Sequence, residues 1–314
     1  MLSKKGRFII SLDYEQYWGV FSNSDIEEYV KSNIVHVHSV FDKTLDLFSK
    51  YDVFCTIAIV GLLFLDSLEE LGECKKFNID YKKNFCPYTR IRSGITLNER
   101  IHLSNYKLLN KLKESNHEIG SHTFSHYFCN AEGQSLENFE LDLKLYKEFN
   151  RYFEAPKTLV FPRNQINRDY FEAIKTYGFT HLRVNDENSN LYDYTRSDCM
   201  SINKKIKRFI DRYLNISGHN PSITIVENGI ILNTHSRFLS PYNSTLPFLE
   251  PLKVKRILND MTYCAKNNLD YHLWWHPHNF GDGLKMLPQL ERILTHYKRL
   301  NNDFGFQSTK MEEL

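Results

Sequence analysis

Short apolar segments with the character of β-strands alternate along this chain with longer segments of helical periodicity. The strand-like segments are residues 7–13, 53–60, 158–162, 179–184, 223–226, 229–233 and 271–276. The helical segments lie near residues 37–50, 98–115, 136–150, 168–177 and 252–267. Such alternation is typical of βα units around a parallel sheet, because each helix covers one face of the strands that it connects. We therefore predict an α/β fold built around a parallel barrel.

Length and charge set further bounds. The 314 residues are 41% hydrophobic, which is enough for a sizeable core, and the net charge of +2 gives no general attraction to nucleic acid. A chain of this length forms either one large α/β barrel or two modest domains. We predict a single catalytic domain over residues 1–314, with insertions at about 62–97 and 186–222, where the strand and helix patterns are weak.

Two acidic residues stand at the end of the first strand-like segment. The apolar run from Phe8 to Leu12 is followed by Asp13 and Glu15. Side chains alternate along a strand, so both carboxylates are expected on the same side. Because active sites of parallel barrels lie at the carboxyl ends of the strands, this pair is a candidate for catalysis, with a solvated pair of loop acids as the alternative.

A histidine-rich decapeptide, H-E-I-G-S-H-T-F-S-H, covers residues 117–126. The zinc-protease pattern H-E-x-x-H fails because position 121 is Ser121. His122 and His126 are four residues apart, and we expect them on one face of a helical turn. Two such imidazoles form half of a metal site and need a carboxylate from elsewhere. Without one, the pair is an ordinary surface feature.

Taken together, these segments resemble the polysaccharide deacetylase family, the NodB-like enzymes of carbohydrate esterase family four. The family's H-[ST]-x-x-H motif matches at residues 122–126, and its first motif, a strand that ends in two acids, is similar to residues 7–15. Three further segments resemble family motifs in the family's order, namely residues 156–165, 177–181 and 273–278. The resemblance covers most of the chain and implies a distorted, incomplete (β/α) barrel.

The resemblance also implies roles for single residues. The first motif here is Asp13-Tyr14-Glu15, a spaced form in which the first acid is the base and the second binds metal. The reverse assignment, with Asp13 on the metal, stays open. Arg163 corresponds to the family's arginine beside the base, and His276 to its catalytic histidine. Asn164-Gln165 stand where the family's third motif has an aromatic residue, a departure that concerns the substrate more than the type of reaction.

These residue types suit metal-assisted hydrolysis of an amide. Glu15, His122 and His126 would leave open positions on a metal ion for water and a carbonyl oxygen. Asp13 would take the proton of the water, Arg163 would keep that carboxylate ionised, and His276 would protonate the departing amine. Zinc is the first choice for the ion, and iron, cobalt, nickel and manganese also accept such ligands.

The segment L-W-W-H-P-H at residues 273–278 offers further contacts for a sugar. We predict that Trp275 and His278 bind substrate, since aromatic rings pack well against sugars. Because neighbouring strand residues face opposite sides, one of Trp274 and Trp275 belongs to the core. His278 is the second candidate for the acid.

Residues 203–214 form a basic amphipathic pattern with an apolar face. We expect a helix packed on the barrel with its Lys and Arg side chains in solvent. The alternative is that this helix binds an anionic membrane surface or the phosphate of a nucleotide- or lipid-linked sugar.

The expected cellular location depends on sequence patterns that are not found in this chain. The six cysteines are scattered without a C-x-x-C pair, which favours free thiols in a reducing compartment. Residues 1–6 lead directly into the first strand-like segment, so we expect no signal peptide and a cytoplasmic protein. The predicted function is removal of an acetyl or formyl group from an amino sugar in the biosynthesis of cell-surface polysaccharide or lipopolysaccharide. The alternatives are an amidase acting on a non-sugar amide or cyclic imide, and a metal-free glycan-binding protein.

Overall fold

The computed structural model describes residues 5–82, 84–94, 98–186, 191 and 201–314. Ten strands in this part of the chain form one sheet. They are β1 (Arg7–Tyr14), β2 (Thr56–Ile59), β3 (Glu118–Ser121), β4 (Thr158–Val160), β5 (His181–Val184), β6 (Thr224–Glu227), β7 (Ile230–Thr234), β8 (Arg237–Phe238), β9 (Tyr271–Trp275) and β10 (Gln307–Thr309). β1 is buried at every position after Arg7, as expected for a strand covered on both faces.

The strands follow the order β6-β7-β5-β4-β3-β2-β1-β9-β8 across the sheet. The pairings are parallel except for the hairpin of β6 and β7. β10 pairs with the beginning of β1, whereas β2 pairs with its end. Parallel order places the carboxyl ends of β1 to β5 and β9 at the same edge.

The two ends of this sheet approach each other through one segment. β7 pairs with β5, and its direct continuation β8 pairs with β9. Between them, the amide of His235 donates to the carbonyl of Val184 on β5, and the amide of Ser236 donates to that of His272 on β9. The chain therefore passes from one end of the curled sheet to the other within a few residues. This is a distorted, incomplete (β/α) barrel, and the predicted fold class is confirmed.

Helices cover the outside of the sheet. They are α1 (Ile26–Ser32), α2 (Val37–Tyr51), α3 (Leu68–Glu73), α4 (Pro87–Arg92), α5 (Glu99–His102), α6 (Tyr106–Lys113), α7 (Leu136–Phe149), α8 (Phe171–Thr176), α9 (Ile202–Asp211), α10 (Glu250–Lys266) and α11 (Met286–Phe304). The longer ones bury one stripe against the strands. In α2, for example, Val37, Phe41, Leu45 and Phe48 recur at helical spacing and are buried.

The structure differs from the predicted elements in three places. β3, Glu118–Ser121, is a strand of four residues that had not been predicted. The helix predicted near residues 98–115 is divided into α5 and α6. The longest helix, α11, had not been predicted, because its charged residues hide the buried stripe that includes Leu290, Ile293 and Leu294.

The orientation expected for the basic helix is wrong for α9. Within Ile202–Asp211 the only buried residue is Asp211, while Ile206, Phe209 and Ile210 are exposed. The physical reason is that Asp211 forms ion pairs with two buried arginines, so charge anchors the end of this helix to the barrel instead of an apolar face. Most of the insertion that precedes α9 lies outside the described residues.

Two findings concern membrane-spanning helices and the state of the cysteines. In the described part of the chain, no helix combines the length and the apolar character needed to cross a membrane. The five described cysteines, Cys55, Cys74, Cys86, Cys129 and Cys264, are buried and free, and Cys199 lies outside the described residues.

Candidate metal centre and catalytic site

Parallel strand order brings the predicted site residues to one edge of the barrel. Asp13 lies near the end of β1 and Glu15 directly after that strand. His122 follows β3, and His276 follows β9. The carboxyl ends of these strands meet around the barrel axis, so residues more than 250 positions apart become neighbours. Asp13, Glu15 and His122 are buried, and His276 is partly exposed.

The two histidines of the H-T-F-S-H motif converge through a loop. The expected helical turn is wrong, because Thr123 and His126 have positive φ angles of 60° and 65°. These angles reverse the chain after β3 and turn both imidazoles inward. The amides of Gly61 and Leu62, at the end of β2, donate to the carbonyls of Thr123 and Phe124. A Cβ on Gly61 would lie 2.6 Å from the Phe124 ring, so this close approach requires glycine.

Asp142, on α7, stabilises the histidine loop through hydrogen bonds. Its carboxylate accepts hydrogen bonds from the amides of Phe124 (2.7 Å) and Ser125 (3.2 Å) and from the Ser125 hydroxyl (2.5 Å). The Tyr88 hydroxyl donates a further bond of 2.8 Å. Burial raises the pKa of Asp142 to about 6, even though these donors act in the opposite direction. The strained loop therefore depends on one buried acid.

Replacing Asp142 by Asn should lower the free energy of unfolding by about 2 kcal/mol, because the amide NH₂ would face donors that then lack an acceptor. Urea unfolding at pH 7 measures the change. Glu148→Gln is the matched control, since Glu148 is an exposed acid on the same helix. Equal stability of the two variants would contradict the bracing role of Asp142.

Glu15 is the carboxylate that meets the histidine pair. Its Oε2 atom lies 3.2 Å from Nε2 of His122 and 2.9 Å from Nε2 of His126. Burial raises the pKa of Glu15, but the surrounding histidines, His276 and His126 first, hold it well below its usual value. Burial also lowers the pKa of His126 to about 4, so this imidazole is neutral at pH 7.

The hydrogen bond of His122 shows which of its ring nitrogens is available to a metal ion. Its Nδ1 lies 2.9 Å from the carbonyl oxygen of Val160, which accepts only a hydrogen bond, so Nδ1 carries the proton. In the neutral ring, the lone pair of Nε2 then points at the Glu15 carboxylate. A cation between these two acceptors would offset their repulsion. The donor set of Glu15, His122 and His126 therefore fits a divalent ion.

The position of Glu15 depends on a glycine that sequence reasoning missed. Gly19 ends the short 3₁₀ helix Gln16–Gly19, which directly follows Glu15. A Cβ at this position would lie 2.0 Å from the Glu15 carboxyl group. Any larger residue would displace the carboxylate from the histidines.

Asp13 is held by an arginine, but not by the one predicted. Arg183, on β5, forms two charge-assisted hydrogen bonds to Asp13, from Nη1 to Oδ1 (2.6 Å) and from Nη2 to Oδ2 (2.7 Å). Burial raises the pKa of Asp13, but the charge of Arg183, followed by that of His122, outweighs burial and lowers this pKa overall. Asp13 is thus an ionised carboxylate in a dry interior.

Asn164 and Ser11 complete the setting of Arg183. The side-chain oxygen of Asn164 accepts from Nη2 at 3.0 Å, and the Ser11 hydroxyl accepts from Nη1 at 3.0 Å. The guanidinium also lies 4.3 Å from the centre of the Trp274 ring. Asn164, one of the two residues by which the third motif departs from the family pattern, therefore orients the arginine of the site.

Arg163, predicted to lie beside Asp13, points elsewhere. Its guanidinium donates to the Ser22 hydroxyl at 3.0 Å and lies over the rings of Phe85 and Phe128. The expected contact with Asp13 is therefore wrong. The physical reason is local, because Arg163 has a φ of 55°, which directs its side chain along the wall of the cleft.

His276 and His278 approach the acids from the opposite side. The Nε2 atom of His276 lies 3.7 Å from Oδ2 of Asp13 and 3.6 Å from Oε1 of Glu15. Nε2 of His278 lies 3.8 Å from the same Glu15 oxygen, and the two rings are parallel. Glu15, His276 and His278 thus form a second group of possible ligands that shares Glu15 with the first. Asn279 accepts a hydrogen bond from Nδ1 of His276 and fixes its ring.

The two tryptophans face opposite sides of β9. Trp275, predicted to bind substrate, is fully buried among Phe48 and Phe280 in the core, so that prediction is wrong. Trp274 lines the cleft instead. This cleft has a volume of about 400 Å³, and His278, the other residue predicted to bind substrate, also lies on its wall.

Weak signals for the missed residues were present in the sequence. Arg183 is a charged residue within a strand-like run, and a strand covered on both faces needs a partner for such a charge. Asp142 lies three residues after Phe139, on the buried face of a predicted helix. Neither signal identifies the residue that Arg183 or Asp142 contacts, because that contact depends on the tertiary structure.

Comparisons with known proteins agree with this geometry. The family model described as polysaccharide deacetylase matches residues 33–182. No curated protein matches the chain in sequence. Among solved structures, a Mycobacterium smegmatis protein assigned as a polysaccharide deacetylase superposes with a TM-score of 0.60 at 10% identity, over 100% of this chain and 90% of that one.

Two structures with other activities are similar in fold. The PuuE allantoinase gives a TM-score of 0.53 at 10% identity, covering 100% of this chain and 90% of its own. A GH57-type branching enzyme from Pyrococcus horikoshii gives 0.52 at 11% identity, covering 98% of this chain and 69% of its own. At these identities the likeness extends to the fold alone.

Fold and site together define a distorted (β/α)-barrel protein with acids and histidines gathered at the carboxyl ends of its strands. The match of the family model to residues 33–182 confirms the resemblance found in the sequence. Residues 33–182 thus carry the likeness of this chain to the polysaccharide deacetylase family.

Proposed function

We propose that this protein is a metal-dependent hydrolase that removes an acetyl or formyl group from the nitrogen of an amino sugar. The observation that carries the proposal is the meeting of Glu15 with His122 and His126 beside the ionised pair of Asp13 and Arg183. The match of residues 33–182 to the polysaccharide deacetylase family model supports the reaction class. Within that reaction class, the amino sugar and the acetyl or formyl group are the specific substrate that we propose.

In this proposal Glu15, His122 and His126 hold one divalent ion, with zinc as the first choice. Such an ion lowers the pKa of a water molecule toward ~7 and polarises the acyl oxygen. Both oxygens of Asp13 are engaged by Arg183, which favours Glu15 over Asp13 as the carboxylate ligand. The histidine loop and Gly19 set the positions of the three ligands before any ion binds.

Asp13 acts as the general base and accepts the proton of the attacking water. Arg183 keeps it ionised and fixes its orientation, and Asn164 in turn orients Arg183. A positioned base of this kind contributes about 10²–10⁴-fold to the rate.

His276 acts as the general acid on the other side of the cleft. Its Nδ1–H donates to Asn279, so Nε2 faces the acids and carries the proton that passes to the departing amine. Partial exposure lets this ring exchange protons with solvent between turnovers. Trp274 and Phe238, whose rings pack against His276, provide an apolar wall for the sugar.

The biological setting is also part of the proposal. We place the enzyme, as a single catalytic domain with two insertions, in the cytoplasm and in the biosynthesis of cell-surface polysaccharide or lipopolysaccharide. The five buried free thiols support a reducing compartment. There its carbohydrate substrate would be linked to a nucleotide or a lipid, and α9 would permit peripheral contact with a membrane.

Replacing Glu15 by Gln should reduce bound metal from about one equivalent to less than about a tenth, because a neutral amide is a poor ligand for a first-row ion. Metal analysis after chelation, re-addition and gel filtration measures this. Asp13→Asn is the comparison, and it should retain the metal. Unaltered metal in Glu15→Gln, with loss in Asp13→Asn, would assign the ligand role to Asp13.

The reaction itself is tested by measuring acetate and formate released from free, oligomeric, nucleotide-linked and lipid-linked N-acyl amino sugars. Activity should disappear on chelation and return with the metal. Release of ammonia or ring opening from a non-sugar amide or cyclic imide, without activity on sugars, would overturn the sugar assignment. Binding of a glycan without turnover in the metal-loaded protein would identify a non-catalytic relative.

The metal count also tests the role of His276. One ion per chain leaves His276 free to act as the acid. Two ions per chain, with the second lost in His278→Asn, would mean that His276 and His278 bind metal with Glu15 and would exclude His276 as the acid.

A further inference from the structure

A second cavity, of about 270 Å³, lies beside the catalytic cleft. Four cationic side chains line it: Arg208, Arg212, Arg237 and Lys253. Phe238 lines both this cavity and the catalytic cleft, and Ser240 in the cavity is followed by Pro241 in the cleft. The two spaces therefore adjoin at Phe238.

Three acids contact cations at or next to the cavity wall. Asp211 and Asp260 contact Arg237 and Arg256, and Glu250 contacts Lys253. Arg212 has no carboxylate partner among the described residues and rests against the ring of Phe209. Burial lowers the pKa of Lys253. The nearby carboxylate of Glu250 opposes this effect, and the like charge of Arg212 lowers the pKa further. The charge of Arg212 thus stays without a carboxylate partner among the described residues at the cavity wall.

A buried hydroxyl group beside the cavity lacks a partner. Ser240 is 2% exposed, and its Oγ atom makes no hydrogen bond. Buried hydroxyl groups almost always have a partner, so this one indicates a missing ligand atom. Its carbonyl already accepts from Nζ of Lys253 at 3.0 Å, which holds the hydroxyl among the cations.

We propose that this cavity binds a phosphate group carried by the substrate, so that the enzyme acts on a phosphorylated amino sugar. The inference rests on the proposed function, because it assigns the cleft to the sugar and the neighbouring cavity to its phosphate. Arginine forks and a hydroxyl donor match the tetrahedral oxygens of phosphate, and the shared wall at Phe238 places this cavity next to the cleft assigned to the sugar. The phosphate belongs to either a nucleotide or a lipid carrier.

The inference is tested by comparing kcat/KM for N-acetylglucosamine 1-phosphate with kcat/KM for N-acetylglucosamine. We expect a preference of about a hundredfold for the phosphorylated sugar, which corresponds to two well-placed charged contacts. Inorganic phosphate should compete with the phosphorylated sugar and not with the neutral one. Equal kcat/KM values for the two sugars would overturn the inference while leaving the hydrolase proposal intact.

Arg212→Gln is the decisive variant, with Lys207→Gln as its control. Arg212, directly after α9, is partly exposed and has no ion pair to lose within the described residues. Lys207 is an exposed cation on α9 that does not line the cavity. The preference for the phosphorylated sugar should fall about tenfold or more in Arg212→Gln and stay unchanged in Lys207→Gln. An equal fall in both variants would indicate general attraction by a basic surface and would overturn the specific site.

Ser240→Ala gives an independent check, because it removes the unpartnered hydroxyl without changing charge. It should lower the same preference by about threefold to tenfold. Calorimetric titration with inorganic phosphate measures the site even if no sugar is hydrolysed, so failure of the hydrolase proposal is distinguishable from failure of this one. No phosphate binding to the wild type at millimolar concentration would overturn the site.

Two further substrates separate the carriers. A nucleoside diphosphate sugar and a polyprenyl phosphate sugar in detergent micelles present the same phosphate with different attachments. Hydrolysis favouring one by about tenfold identifies the carrier, and rejection of both in favour of neutral oligosaccharides would overturn the inference.

Discussion

Replacing Asp13 by Asn should lower kcat by about a thousandfold while leaving bound metal and fold intact, because the amide cannot accept a proton from the attacking water. Asparagine is isosteric with aspartate and can still accept one hydrogen bond from Arg183. The effect should therefore be on turnover more than on KM. Release of acetate under saturating substrate measures kcat, and metal analysis of the same sample measures the ion.

The control for Asp13→Asn is Asp25→Asn, which changes an acid in the exposed segment before α1. It should have wild-type activity. Full activity in Asp13→Asn would disprove the base. Loss of metal with loss of activity would instead identify Asp13 as a ligand.

Replacing Arg183 by Met should lower the free energy of unfolding by about 3–5 kcal/mol, because it leaves the Asp13 carboxylate buried without its counterion. The same substitution should raise the pKa of Asp13, so any remaining activity should shift to higher pH. Urea unfolding and the pH dependence of kcat/KM measure the two effects. A double variant, Asp13→Asn with Arg183→Met, should be less destabilised than the single variants together, since the uncompensated charge is gone.

Arg163→Met is the matched control, because Arg163 is the arginine that the family pattern assigns to this place. Its guanidinium contacts Ser22, Phe85 and Phe128 at the wall of the cleft. We expect a loss of stability of about 1 kcal/mol or less and no shift in the pH dependence. If Arg163→Met raised the pKa of the base and Arg183→Met did not, the assignment of Arg183 would be wrong.

The difference between the two arginines illustrates how far the sequence leads. Both lie after or within predicted strands, and the family resemblance favoured Arg163. The choice depends on which strand faces β1 across the curled sheet. β5 does, and Arg183 spans the interior to reach Asp13, while Asn164 fills the place beside it. Local sequence periodicity does not indicate which strands face each other across a curled sheet.

The histidine motif shows a similar division. Its residue types and spacing indicated a pair of ligands, and the structure brings both imidazoles to Glu15. The conformation expected from the spacing was helical, and this was wrong. Positive φ angles at Thr123 and His126, together with the bonds to Asp142, shape a loop instead. Spacing predicted that the two side chains meet, while tertiary contacts decided how.

The sequence by itself determined the alternation of strands and helices, the acids at the end of β1 and the histidines after β3, because these depend on local pattern and on side-chain chemistry. Only the tertiary structure decided that Arg183 holds Asp13, that Trp274 and not Trp275 lines the cleft, and that a basic cavity adjoins the cleft. Each of these is a contact between segments far apart in the chain. Such contacts depend on the curl of the sheet and on strand register, which no single segment specifies.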